Sequence, residues 1–173
     1  MDFQNRSPEL VKDSNQGVKI RELYPKDLPL WVSHYPLMGV EDVHTEMLKR
    51  LKEEPKKMET LRRRLSKYAE EAALAIEQKD WKTLARVMTD NQNIVTQLRK
   101  ELGIKDPSPK DTVIINELKR LKIPAKLAGS AGAVIMLSEK KPIFSKKLIY
   151  LNVSEPVKVK PGRGVNLLPS PIL

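Results

Sequence analysis

The chain contains no cysteine, which excludes a disulfide framework, a thiolate nucleophile and every cysteine-based zinc site. Histidine is nearly as scarce: His34 and His44 are the only two, and neither has another ligating residue at a metal-binding spacing. Aromatic residues make up 5% of the chain and do not interleave with the basic ones, so no stacking platform for single-stranded nucleic acid is on offer. No apolar run approaches the ~20 residues that cross a bilayer. The opening segment, MDFQNRSPELVKD, lacks the basic-then-apolar layout of a signal peptide. The expected compartment is therefore the cytoplasm, and no membrane partner is expected. There is no Gly-Lys-Ser/Thr of a P-loop and no Gly-x-Ser-x-Gly of a hydrolase elbow. The acidic pairs Glu41-Asp42, Glu53-Glu54 and Glu70-Glu71 are adjacent in sequence, so on a helix their carboxylates diverge instead of converging for acid–base work.

What is present is the balance of a soluble globular domain. The 173 residues are 40% hydrophobic and 31% charged, enough for one domain with a core and too few for two large ones. The formal charge of +10 suits nucleic acid, an acidic surface or a phosphorylated small molecule equally. Much of the excess falls on Lys56, Lys57 and Arg62 to Arg64, and on Lys140, Lys141, Lys146, Lys147, Lys158, Lys160 and Arg163. Helical clusters of this kind read as solvated faces, and nucleic acid is not an expected partner.

Polar residues gather between Ser7 and Gly17, so no regular element is expected before Val18. Residues 28–35, LPLWVSHY, predict a buried strand ended by Pro36, with His34 inside it as a core or edge residue. Val43, Met47, Leu48 and Leu51 recur at helical spacing and predict a helix over 40–51. Met58, Leu61, Leu65, Tyr68, Ala72, Ala75 and Ile76 predict a long helix over 56–78, with Arg62 to Arg64 mostly off its apolar stripe. Asp80 is placed to cap a second long helix, whose stripe is Trp81, Leu84, Met88, Val95, Leu98 and Leu102 and whose end is Gly103. Asn91-Gln92-Asn93 interrupts that stripe and is expected on the solvent face. A third helix starts with Ser108 as N-cap, Pro109 at its first position and Asp111 reaching back to the cap. Val113, Ile114, Ile115, Leu118 and Leu121 then form its apolar face. Ala133–Leu137 reads as a strand, and KLIYLNV, Lys147–Val153, as its partner. The proline-rich tail from Ser154 reads as extended or loose.

The chain is organised around Ile123–Leu137, IPAKLAGSAGAVIML. Gly129, Ser130, Ala131 and Gly132 carry almost no side chain, so the backbone can bend there and present N–H groups to an anion such as phosphate. The same residues also suit a plain turn where two backbones pack closely. Lys-x-x-Gly-Ser-x-Gly-Ala-Val before an apolar strand resembles the third motif of the GHMP small-molecule kinases. The usual Lys-x-Thr-Gly-x-Gly-Gly becomes Lys126-Leu127-Ala128-Gly129-Ser130-Ala131-Gly132, with Ala128 where Thr is typical and Ala131 where Gly is typical. The first change removes a hydroxyl, and the second disfavours any φ > 0. Both weaken a phosphate-facing role.

Other segments extend the resemblance. MDF, then Tyr24-Pro25, then LPLWVSHY looks like the start of the second half of plant-type glucuronokinases, which would place Met1 at an internal position of a complete kinase. Val43-His44-Thr45, followed by Lys49 and Arg50, resembles that group's Val-His-Ser and downstream Arg. His44 would then border the active-site cleft, although the residues alone equally suit an exposed or capping histidine. Met88 and Asn91 resemble a Met-x-x-Asn segment whose role in the family is mainly structural.

The resemblance implies an α+β fold: a ferredoxin-like GHMP C-terminal domain with a small antiparallel sheet packed on three to four helices. It divides the chain into a residual segment of the first kinase domain (1–27), the C-terminal domain (28–153) and a Pro-rich tail (154–173). A further helix and a last strand are expected in the tail from Ser154, but no pattern for that helix is visible. The implied nucleotide- or substrate-binding residues are Lys126, Gly129, Ser130, Ala131, Gly132 and His44, with no catalytic residue and no metal ligand. A complete enzyme would use ATP and Mg2+ to phosphorylate a sugar or sugar acid. The family's Pro-x-x-x-Gly-Leu-x-Ser-Ser loop, with the metal ligands and catalytic Asp of the first domain, is not in this sequence. This chain alone is therefore expected to be inactive and to bind ATP weakly. The alternative is a non-catalytic basic module for a phosphorylated ligand, RNA or an acidic protein.

Overall fold

The computed structural model describes residues 11–12, 19–20, 27–36, 49, 52–101, 109–128 and 132–160. Val11–Lys12 (β1) and Lys19–Ile20 (β2) pair antiparallel, Val11 opposite Ile20. Regular structure thus begins before Val18, contrary to expectation. Two-residue strands rest on backbone hydrogen bonds alone and leave no side-chain period to read.

The apolar run at 28–35 forms β3, Leu30–His34. The helix expected over 40–51 lies almost wholly outside the described residues. Helix α1 spans Pro55–Gln78 and α2 spans Trp81–Glu101. Their separation is tight because Lys79 takes φ 55°, donates its N–H to Ile76 O, and lets Asp80 N–H reach Ala75 O. That paired closure is the Schellman ending, here without glycine. Asp80 then caps α2 as expected, its Oδ1 accepting from Thr83 N–H at 3.0 Å. The two helices run antiparallel along their length: Ala75 packs with Leu84 and Met88 near the turn, and Lys57 meets Glu101 at 3.2 Å at the far end. Arg62, Arg63 and Arg64 are exposed.

Helix α3, Pro109–Arg120, is followed by β4, Ala125–Leu127, and β5, Ala133–Leu137. The last elements are a short helix α4, Lys146–Tyr150, and β6, Val157–Lys158. KLIYLNV is therefore not the partner strand of β5; the partners are β3 and β4. Ser145 caps α4 by accepting from Leu148 N–H, and only Leu148 turns inward, fully buried, while Tyr150 is 86% exposed. A strand would have placed both on one face. α4 precedes the segment from Ser154 in which a further helix is expected, and so short an element has no room for an amphipathic period. β6, in the segment read as tail, pairs with β3 through Trp31↔Lys158 and Val32↔Val157.

The sheet is four-stranded and antiparallel in the order β4-β5-β3-β6. With α1 to α3 between β3 and β4, and α4 between β5 and β6, this is the split β-α-β of the ferredoxin-like fold. Alternation divides the faces. Ala125, Leu127, Val134, Met136 and Tyr35 join Ile114 and Leu118 of α3 and Leu148 of α4 in the larger core. Leu137, with Leu30 and Ile135 beside it, packs on the α1–α2 turn. The expected α+β architecture is the observed one.

Candidate functional site

The small-residue segment connects the two strands that form the β4 edge of the sheet. Ala128 N–H donates to Ala133 O at 2.9 Å, closing the mouth of the β4–β5 connection. Gly132 has φ 85°, in the region that costs an L-residue with a Cβ about 1–2 kcal/mol. Its carbonyl accepts from Tyr35 N–H at 3.0 Å, so the end of β3 holds the start of β5. Lys126 sits between the buried Ala125 and Leu127 and thus lies on the opposite sheet face, half-buried, in the row Lys126–Ile135–Val32–Val157. Of the residues expected at the site, Lys126 and Gly132 are among the described ones; Lys126 lies opposite Ile135, three residues along the chain from Gly132. Gly129, Ser130, Ala131 and His44 lie outside the described residues. His34 is exposed on a strand flanked by β5 and β6. It is neither core nor edge, because its position in the alternation faces away from α3 and α4.

Four polar side chains, Gln92, Tyr35, Asp111 and Arg99, fasten this connection from below. Gln92, expected in solvent, is 5% exposed. Its Oε1 accepts from Leu127 N–H at 2.7 Å and its Nε2 donates to Thr96 Oγ1 at 3.1 Å. Because β4 is an edge strand among the described residues, the α2 amide takes the place of a neighbouring strand at Leu127 N–H. The signal was available: Gln92 follows Met88 by one helical turn, on the inward stripe. Asp111, expected to reach back to its cap, directs Oδ1 to the Tyr35 hydroxyl, which donates to it at 2.6 Å; Ser108 lies outside the described residues. Arg99 Nη1 stands 3.5 Å from Asp111 Oδ2, and both side chains are almost fully buried. Burial first, and then the Asp111 hydrogen bond, push the Tyr35 hydroxyl well above the usual tyrosine range. Tyr35, Asp111 and Arg99 thus tie β3, α3 and α2 together directly under the strand that enters at Gly132.

This arrangement presents a rigidly based connection with a lysine on one strand. Among the described residues, no group of three His, Cys, Asp or Glu is placed to hold a metal ion. The groove between α2, α3 and β4, lined by Gln92, Asn93, Lys119 and Lys122, measures about 200 Å³, below the ~300–1,000 Å³ of ordinary ligand pockets. No described helix is long and apolar enough to cross a membrane.

No curated protein matches the sequence. Among solved structures, the chain is similar to the crystal structure of a Lin0012 protein from Listeria innocua, at 15% identity and a TM-score of 0.64. The likeness covers 80% of this chain and 40% of that one, so the chain spans well under half of that protein, and at this identity the likeness concerns the fold. Residues 69–144, running from within α1 through the β4–β5 connection to Phe144, match the family model "GHMP kinases C terminal", so this stretch of the chain is similar to the C-terminal domain of the GHMP kinases.

Proposed function

We propose that this chain acts as the C-terminal portion of a small-molecule kinase, glucuronokinase-like in its sequence, with residues 28–153 as the domain concerned. In that reading the β4–β5 connection forms one wall of an ATP–Mg2+ site in the cytoplasm. A first domain supplies the main phosphate loop, the metal ligands and the carboxylate that deprotonates the sugar hydroxyl. The observation that carries the reading is Gly132. A left-handed glycine, held by Tyr35 and entering β5, stands where the third-motif resemblance places the end of a phosphate-facing loop. Lys126 on the preceding strand supplies positive charge, Gly129, Ser130 and Ala131 supply backbone N–H groups, and His44 borders the cleft. The transferring phosphoryl group would be stabilised by positioning and charge, as phosphoryl transfer requires.

The test is reconstitution. The chain is mixed with a separately expressed GHMP first domain carrying the Pro-x-x-x-Gly-Leu-x-Ser-Ser loop, and ADP release is followed with glucuronic acid and ATP–Mg2+. Turnover is expected only with both parts present, and is expected to fall when Gly132→Val is introduced. Turnover by the chain alone would overturn the division of labour, and an unchanged rate with Gly132→Val would overturn the role of the connection. Salt-sensitive RNA binding with no response to ATP would instead favour the basic module.

A further inference from the structure

The opposite edge of the sheet carries a surface that the kinase reading does not use. Ile143 and Tyr150 are each 86% exposed, and Ile149 and Val157 are 62% exposed. Two of them, Ile143 from the segment before α4 and Ile149 from α4 itself, border one concave groove of about 460 Å³. Its floor and walls are Pro142, Phe144, Val153, Pro156, Ile143 and Ile149. Scattered exposed apolar residues need no explanation, but a contiguous apolar groove in a chain that is 31% charged does.

The stretch of chain that supplies the groove is one-sided in charge. Between 138 and 160 there are lysines at 140, 141, 146, 147, 158 and 160, against only Glu139 and Glu155. One of those carboxylates, Glu155, is already held by Lys141 at the mouth of the groove. On α4, Lys146 shares a helix face with Ile149 and Tyr150, while Leu148 is buried on the other. Apolar contact and positive charge are thus presented side by side by the same turn.

We propose that this groove is a docking site for an acidic amphipathic segment of a partner protein. Apolar side chains at helical spacing would enter between Ile143 and Ile149, and the segment's carboxylates would meet Lys140, Lys146 and Lys158. Charge complementarity selects an acidic partner and opposes a second copy of this basic chain. Concavity selects inserted side chains over a flat lipid surface. The proposal is independent of the kinase reading, because no residue lining the groove belongs to the β4–β5 connection.

The experiment is a selection of random 16-residue peptides displayed on phage against the full chain, with Ile143→Asp and Ile149→Asp variants as counter-screens. Both side chains are largely exposed, so the variants are expected to keep the wild-type circular dichroism and melting temperature. Recovered peptides are expected to combine Glu or Asp with apolar residues at i, i+3 and i+4. They should bind either variant about tenfold or more weakly and bind Arg63→Asp, an exposed change on α1, unaltered. Recovery of no groove-dependent peptides, as when a second copy or another part of the chain covers the groove, overturns the proposal. So does recovery of basic or purely apolar sequences, or phosphatidylserine-vesicle binding that the two variants abolish.

Discussion

Replacing Gln92 with leucine isolates a single hydrogen bond at the edge of the sheet. The two side chains are similar in volume, so the change leaves little cavity in a site where Gln92 is 5% exposed. What it removes is the acceptor 2.7 Å from Leu127 N–H. Leu127 is itself buried, and among the described residues no strand lies beyond β4 to take over. An unsatisfied buried N–H costs about 1–3 kcal/mol, and about 2 kcal/mol in a chain of this length lowers the melting temperature by about 4–8 °C. The change should be read by thermal unfolding at pH 7 together with amide hydrogen exchange at Leu127, which is expected to accelerate by more than exchange in the centre of β5. Thr96→Val serves as control. Its hydroxyl accepts the other end of the Gln92 amide at an exposed position where water substitutes, and its cost should stay within about 0.5 kcal/mol. Wild-type stability in Gln92→Leu, with Leu127 protection unchanged, would refute the assignment of Gln92 as the clasp of the edge strand.

Gly132→Ala places a Cβ at φ 85° and is expected to destabilise by about 1–2 kcal/mol in urea unfolding; no loss would mean that the backbone there relaxes freely. Tyr35→Phe removes the donor to buried Asp111 and should cost about 1.5–3 kcal/mol, the range for hydrogen bonds to charged groups. The folded-state pKa of Tyr35 is raised, so its contribution is complete below the ordinary tyrosine value of about 10 and is lost as pH rises from there. The phenylalanine variant should therefore show a shallower alkaline fall in stability. Glu117 behaves oppositely. The hydrogen bond from Arg120, and then that from Ser145, hold its carboxyl down to about 2. Its contribution is complete above the ordinary glutamate value of about 4.3 and is lost as pH falls towards about 2. Glu117→Gln should flatten that limb of the acid unfolding curve, and an unchanged limb would show that the ion pair with Arg120 adds nothing.

The long elements were legible because their side chains repeat. The stripe from Met58 to Ile76, and the stripe from Trp81 whose start Asp80 caps, led to helices at the observed places, and LPLWVSHY led to β3. The errors fall where the pattern is too short or where one polar residue breaks it. KLIYLNV alternates well enough for a strand, but a Ser145 cap and one fully buried leucine make it α4. Gln92 was read outward because it is polar between two asparagines, whereas its turn of α2 faces inward and an edge-strand N–H waits there. Of the candidate site, Lys126 and Gly132 were visible through their motif, and Gly132 has the positive φ that only glycine takes without penalty. Tyr35, Asp111 and Arg99 carried no sequence signal as a group, since they lie on three elements far apart in the chain.

The sequence by itself determined the three long helices, the strands of the main sheet apart from its short outer ones, and the glycine at which the chain must turn, because those depend on periods of two and 3.6 residues and on the φ each residue tolerates. It also carried the motif resemblance that the match over 69–144 supports. The tertiary structure alone decided that β5 pairs with β3 and β4, and that Gln92 and the Tyr35–Asp111–Arg99 set lie beneath the β4–β5 connection. It alone showed that Ile143, Ile149 and Tyr150 face outward beside lysines. Pairing partners and buried polar contacts arise from residues distant in sequence, where each group must be satisfied by whatever the packing brings within reach.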